Sequence, residues 1–140
     1  MTEQHATPER PSHASGFTLM EMMIVMALIV ILAGIGMSVY GNSVQRSKEA
    51  VLKEDLFRMR DAIDQYYADK GNYPASLQTL VSEGYIRRIP EDPFTRSTDT
   101  WITTQAEADP NSTSAEAGIY DVKSGSDWVA LDGSRYADWH

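Results

Sequence analysis

The sequence contains no cysteine among its 140 residues. Disulfide bonds, thiolate metal ligands and a cysteine nucleophile are therefore excluded. Histidine is scarce as well: His5 and His13 lie in a polar N-terminal stretch, and His140 is the last residue of the sequence. Because none of the three is placed for acid–base or triad chemistry, we do not expect this protein to be an enzyme.

Basic residues are also few. Lysine and arginine together number 12 against 20 aspartates and glutamates, which gives a net charge of −8 and a pI near 4.7. After Pro90 the chain has ten acidic residues and three basic ones, so the excess is concentrated in the last third. This charge balance argues against nucleic acid as a partner, because phosphate backbones attract basic surfaces.

The N-terminal half lacks two kinds of residue. No charged residue occurs between Met22 and Gln45, and no proline between Phe17 and Tyr73. Residues 22–37 are apolar throughout, on the order of the roughly 20 residues that cross a bilayer. Further along, apolar residues recur at three- and four-residue steps, as in an amphipathic helix; they are Leu52, Leu56, Met59, Ile63 and Tyr66. We predict one nearly continuous helix over residues 17–70, with residues 17–40 spanning the membrane.

The rest of the chain divides into two polar regions. Residues 1–16 show no periodicity and contain two prolines, which is typical of a disordered stretch. Residues 71–140 form the predicted head, with a short helix over residues 75–83 and strands over residues 101–104, 119–123 and 128–131. The pair Asp132-Gly133 predicts a turn. The fold class is therefore α+β, a long helical stem followed by a small head with a short helix and a small antiparallel sheet.

Glu21 is an ionisable residue at the entry to a membrane-length apolar segment. A carboxylate at bilayer depth costs about 2.5–3.5 kcal/mol on insertion scales and usually has a partner. Cleavage after Gly16 would create an α-amino group on Phe17, four residues away, and this amine can pair with Glu21 of the same chain or of a neighbour. Alternatively, Glu21 lies in the headgroup layer of a simple anchor; position alone does not decide between the two.

Two motifs carry a resemblance to a known family. Residues 16–21 (GFTLME), followed by the uninterrupted apolar run, resemble the prepilin signature of type IV pilins and type II secretion pseudopilins. Residues 71–74 (GNYP) and 90–93 (PEDP) resemble the pattern that follows the stem in the major pseudopilin. The chain is thus most similar to the major pseudopilin, and the resemblance implies the pilin fold and a structural role in a secretion filament.

The resemblance also implies a processing pathway and partners. A prepilin peptidase, which is also a methyltransferase, is expected to cut after Gly16, to release residues 1–16 as a leader and to methylate Phe17. Glu21 is expected to assist docking into a homopolymeric filament. The helix is expected to anchor the subunit in the bacterial inner membrane, with the head in the periplasm, and the filament to work with an inner-membrane assembly platform and minor pseudopilins to drive protein secretion.

The sequence departs from the family pattern near the membrane. Residues 12–15 lack the basic residue that often precedes the cleavage glycine, and Ser38 stands where many members have proline. The bases flanking the apolar run are Arg10 before it and Arg46, Lys48, Lys53 and Arg58 after it. The positive-inside rule alone therefore predicts a cytoplasmic head, opposite to the orientation that the resemblance implies.

The acidic tail is a candidate calcium site. Calcium takes six to eight oxygen ligands, and Asp127 and Asp132 flank a predicted turn. Their spacing does not match an EF-hand, so composition and spacing by themselves favour a solvated acidic loop. The resemblance implies a calcium-binding loop near the C-terminus, with Asp127 as the first ligand and Asp132 as the second. Weaker candidates are Leu131, Ser134 and Asp138.

Two alternatives remain open at this point. A type IV pilus pilin shares the first motif, although the short cysteine-free head lacks the C-terminal disulfide loop of many adhesive pilins. A protein of a different class, a membrane-anchored calcium-binding module that does not assemble, would also have the apolar run and the acidic tail.

Overall fold

A computed structural model describes residues 16–107 and 117–140 of the chain. The predicted leader, apart from Gly16, lies outside these residues. The described elements are the helices α1 (Leu19–Lys70) and α2 (Leu77–Ser82), the strands β1 (Ile102–Gln105) and β2 (Ile119–Lys123), and a 3₁₀ turn at Tyr136–Asp138. This order confirms the predicted α+β fold class.

Helix α1 begins and ends where the sequence chemistry places its boundaries. The Thr18 hydroxyl accepts the Glu21 backbone N–H at 3.2 Å, which satisfies one of the helix's unpaired N-terminal donors. At the other end Gly71 has a φ of +75°, the left-handed conformation in which glycine closes a helix. The prediction of residues 17–70 was thus two residues too long at the N-terminus.

The chain divides into two compact units, Met1–Val39 and Tyr40–His140. Within the first unit, every described side chain is exposed, including those of Phe17, Leu28 and Ile31. Among the described residues, α1 is the helix long and apolar enough to cross a membrane, by length and composition, and its most apolar window is 0% buried. These apolar side chains are therefore not buried within their own unit.

The second unit, which we call the head unit, has a conventional core. Helix α1 contributes one face to it, with Leu52, Leu56, Met59, Ala62 and Ile63 buried. The remaining buried apolar residues come from α2, from the region of the sheet and from the C-terminal segment; they are Leu77, Leu80, Trp101, Ile119, Val122, Ala130 and Tyr136. The predicted amphipathic spacing is confirmed at Leu52, Leu56, Met59 and Ile63, while Tyr66 packs at the edge of this core.

The sheet is smaller than the sequence predicts. Strands β1 and β2 pair antiparallel, with Ile102 opposite Lys123 and an irregularity between Thr104 and Gln105. The predicted third strand over residues 128–131 is wrong, because only a single bridge forms there, between Val129 and Arg135. The chain enters the 3₁₀ turn directly after this bridge and buries the Tyr136 ring, which ends the pairing.

Candidate assembly segment and C-terminal loop

The three residues of the predicted processing and docking site lie at the start of α1. Gly16 and Phe17 precede the helix, and the Phe17 side chain is 77% exposed. Glu21 lies in the first helical turn and is exposed. The geometry leaves both the Gly16–Phe17 bond and the Glu21 carboxylate accessible, but no described contact assigns either a role.

Glu21 has a local function that the sequence analysis missed. Thr18 and Glu21 have the spacing of a capping box, and the hydrogen bond from the Glu21 N–H to the Thr18 hydroxyl forms half of it. A negative charge in the first turn also interacts favourably with the positive end of the helix dipole. The signal was present in the sequence as Thr-x-x-Glu directly before an apolar run. It is compatible with docking, because the carboxylate stays exposed.

The C-terminal loop, which we define as residues 124–136, is held by hydrogen bonds within itself. The Ala130 N–H donates to the Ser134 carbonyl at 2.7 Å, and the Gly133 N–H donates to the Ala130 carbonyl at 2.9 Å. The Asp132 carboxylate accepts the Ser134 N–H at 2.9 Å and the Ser134 hydroxyl at 2.6 Å. These bonds lower the pKa of Asp132 from its ordinary value of 3.8. The predicted turn at Asp132-Gly133 is confirmed.

Asp92 anchors the beginning of this loop, a role that the sequence analysis did not predict. It is 0% exposed, and its carboxylate accepts the Ser124 hydroxyl and, at 2.8 Å, the Phe94 N–H. Ser124 in turn accepts the Ser126 N–H at 3.1 Å. The local signal was an aspartate before proline, since aspartate side chains bond the backbone two residues on. The partner 32 positions away left no local signal.

The predicted second ligand, Asp132, and two of the weaker calcium candidates, Ser134 and Asp138, line a groove of about 850 Å³ beside α1, whereas Leu131 does not. Asp132, Ser134 and Asp138 lie on one side of it, and Lys53 and Arg60 of α1 also line it. The Lys53 ammonium lies 4.7 Å from the centroid of the Trp139 ring, and the Arg60 guanidinium donates to Asp121 at 2.8 Å. The groove thus has three acidic side chains, those of Glu54, Asp132 and Asp138, beside two cationic ones, and one of the cations, Arg60, is paired with Asp121.

The predicted calcium ligands do not form a complete donor set. Within residues 16–107 and 117–140, no three acidic or histidine side chains lie close enough together to hold a metal ion. Asp127 is exposed and is not among the residues that line the groove. The Leu131 N–H donates to Glu49, and Asp132 is already engaged by Ser134. The residues present therefore do not fit a preorganised calcium site, and calcium binding stays a prediction of the resemblance.

Comparison with known proteins gives consistent results. Residues 11–37 match the family described as the prokaryotic N-terminal methylation motif. The chain is 34% identical over 96 residues to the type II secretion system core protein G of Klebsiella pneumoniae, covering 56% of this chain and 68% of that protein. The Escherichia coli K12 protein of the same name is 32% identical over 96 residues, which cover 56% of this chain and 66% of that protein.

A fimbrial protein is also similar over a shorter share of its length. Fimbrial protein EcpC of Eikenella corrodens is 43% identical over 79 residues, which cover 53% of this chain and 52% of that protein. No solved structure matches the chain significantly. The match thus covers a larger share of the core protein G relatives, 68% and 66%, than of the fimbrial protein, 52%.

Proposed function

The chain belongs to the family of the type II secretion system core protein G, and from this premise we propose that it assembles through its apolar segment into a periplasmic filament that drives secretion. It is a pseudopilin subunit. The family is one of structural subunits, which agrees with the absence of any residue set for catalysis in the sequence. The pilus alternative is not better supported, because the fimbrial relative has the higher identity, 43%, but matches over only 52% of its length.

The observation that carries this proposal is the exposure of the apolar segment. Every described side chain of residues 16–39 is exposed, and residues 22–37 are apolar throughout. Burying one such side chain contributes about 1.5–3 kcal/mol, so many of them together favour removal from water strongly. Lipid satisfies this requirement before assembly, and the apolar segments of neighbouring subunits satisfy it in the filament.

We propose that Glu21 pairs with the α-amino group of Phe17 on a neighbouring subunit after cleavage at Gly16. In the filament core this pairing would offset the cost of placing a carboxylate among apolar side chains. The exposed position of Glu21 in the first helical turn supports this role. The capping contact uses the Glu21 backbone N–H, so the carboxylate stays available to a neighbour.

The partners and location follow from the family as proposals. A prepilin peptidase would act on the Gly16–Phe17 bond, and an inner-membrane assembly platform with minor pseudopilins would add subunits. The apolar helix segment supports anchorage in the inner membrane. The head would then lie in the periplasm, although the bases at Arg46 and Lys48 alone predict the reverse.

Processing and assembly can be tested together in the native membrane. N-terminal sequencing and mass measurement should give a mature chain that begins at methylated Phe17. Glu21→Leu should still be inserted and processed but should abolish filaments seen by electron microscopy and crosslinking. Glu54→Leu is the matched control, since Glu54 is also an exposed acid on α1 and pairs with Arg58 on the same helix.

Two results would contradict the proposal in different ways. A chain that retains residues 1–16 would exclude pilin-type processing and would favour the anchored, non-assembling module. Normal filaments from Glu21→Leu, with processing intact, would remove the docking role of Glu21 and leave the family assignment unaffected.

A further inference from the structure

Two side chains of α1 hold the C-terminal loop from one side. The Glu49 carboxylate oxygen Oε1 accepts the Leu131 N–H at 2.9 Å and the Tyr136 hydroxyl at 2.9 Å. One helical turn earlier, the Gln45 amide donates to the Val129 carbonyl at 3.1 Å and to the Tyr136 hydroxyl at 3.0 Å. Five residues, all in the head unit, thus form one hydrogen-bonded cluster, which we call the Glu49 clamp.

The clamp hydrogen-bonds the hydroxyl of Tyr136, the most deeply buried aromatic residue of the loop. Tyr136 is 0% exposed, and its ring stacks on Phe94 with centroids 4.0 Å apart and packs edge-on against Trp139 at 4.9 Å. A buried hydroxyl needs a hydrogen-bond partner, and Gln45 and Glu49 supply it. The same carboxylate therefore ties the tyrosine side chain and the Leu131 backbone to one point of α1.

The chemistry of the loop differs from that of a cation site. A bound cation is surrounded by oxygen lone pairs, whereas the Leu131 and Ser134 N–H groups are donors and face the carboxylates of Glu49 and Asp132. One oxygen of each carboxylate, Glu49 Oε1 and Asp132 Oδ1, accepts N–H and O–H groups of the protein itself. In addition, no buried side-chain polar atom in the described part of the chain lacks a hydrogen-bond partner.

We infer that the carboxylate of Glu49, together with Gln45, fixes the C-terminal loop to α1 without a metal ion. Glu49 is a positioning residue: it holds Leu131 and Tyr136 in place, and the turn around Asp132 is closed by Ser134. The fold of the head is then independent of calcium, contrary to what the family resemblance implies. The inference concerns the stability of the head and does not depend on filament assembly.

The test uses the full chain in detergent micelles. All three tryptophans, Trp101, Trp128 and Trp139, lie in the head, so their fluorescence reports its unfolding. Thermal midpoints are compared in EDTA and in millimolar calcium chloride. A second readout is local: Arg135 is exposed inside the loop, so the rate of trypsin cleavage after it, measured by mass spectrometry, reports loosening of the loop.

The variants are Glu49→Ala, Glu49→Gln and the control Glu54→Ala, an exposed acid on the same helix. In EDTA we expect Glu49→Ala to lower the midpoint by roughly 5–10 °C and to speed cleavage after Arg135 severalfold. Glu49→Gln keeps an acceptor oxygen and should show a smaller shift, and Glu54→Ala should match wild type. Calcium should change neither readout for wild type.

Two outcomes would overturn the inference. A wild-type midpoint that falls in EDTA, with faster cleavage after Arg135, would show that a cation holds the loop. A Glu49→Ala variant that behaves like Glu54→Ala in both readouts would show that the clamp does not fix it. If Glu49→Ala fails to fold, the cleavage rate of Glu49→Gln relative to wild type decides the second point.

Discussion

Two stretches of α1 have the same secondary structure but differ in the burial of their apolar side chains. In residues 19–39 apolar side chains cover the helix on all sides and every one of them is exposed. In the stretch from Tyr40 onward, one face is buried, and Leu52, Met59 and Ile63 on that face are 0% exposed. A helix that is apolar all round needs lipid or other chains, whereas a helix with one apolar face can be satisfied by a single small head.

The comparison extends to polar groups. From Gln45 onward, α1 offers side chains that bond the head over long sequence distances, such as Glu49 to Leu131 and Arg60 to Asp121. In residues 22–39 the sequence has no charged side chain at all. The hydrogen bonds of the second stretch are directional and therefore fit one surface, that of the head. The first stretch offers apolar surface without directional contacts, which suits packing against lipid or against identical helices.

The largest expected effect comes from placing a charge in each stretch. Ile63→Asp buries an unpaired carboxylate in the head core and should cost at least about 4 kcal/mol, enough to abolish cooperative unfolding of the head. Ile29→Asp, at a site that is 54% exposed, should leave the head's unfolding midpoint unchanged and reduce membrane insertion instead. Tryptophan fluorescence and membrane flotation measure the two effects.

The matched controls are Ile63→Val and Ile29→Val, which keep both sites apolar. If Ile29→Asp unfolded the head as Ile63→Asp does, the two stretches would form one cooperative unit and the comparison would fail. Equal membrane recovery of Ile29→Asp and wild type would show that the apolar run is not the anchor.

The next effect concerns the buried carboxylate of Asp92. Asp92→Ala leaves the Ser124 hydroxyl and the Phe94 N–H without their acceptor, so the free energy of unfolding should fall by about 2–4 kcal/mol. Glu91→Ala, the exposed neighbour, should change it by less than about 0.5 kcal/mol. Chemical denaturation of the full chain in micelles measures both.

A double variant sharpens the prediction for Asp92. If Asp92 and Ser124 act as a pair, Asp92→Ala and Ser124→Ala should be less than additive when combined. Strict additivity would show that the carboxylate stabilises the loop at residues 92–95 alone.

The smallest effect is the pH dependence contributed by Asp132. Its hydrogen bonds to Ser134 lower the pKa of the folded state below 3.8, so its stabilising contribution is present above that value and is lost as the pH falls through the folded-state pKa. Because the Asp132 side chain is exposed, the stability lost at low pH should be slight. Asp132→Asn should flatten the acid limb of the midpoint–pH curve a little, and Ser134→Ala should have the same effect. An unchanged acid limb in both variants would contradict the assignment.

Much of the fold could be predicted because its signals are local. The proline-free apolar run, the spacing of Leu52, Leu56, Met59 and Ile63, and the stop at Gly71 located α1, and β2 was predicted at residues 119–123 as observed. The first strand was predicted at residues 101–104, one residue before its observed position at Ile102–Gln105. The predicted third strand was wrong, because residues 128–131 form a single bridge, at Val129, and the chain then enters a 3₁₀ turn that buries Tyr136.

The sequence by itself determined that the chain has a membrane-length apolar helix, an amphipathic continuation, a small acidic head and a pseudopilin signature, since periodicity, composition and short motifs need only neighbouring residues. Only the tertiary structure decided what holds the C-terminal loop. Asp92 and Glu49 each have partners far along the chain, 32 positions away for Asp92 and 82 or more for Glu49, and no spacing rule connects these. Folding places those carboxylates against N–H and O–H donors, because buried or closely packed donors must find acceptors wherever the fold brings one near.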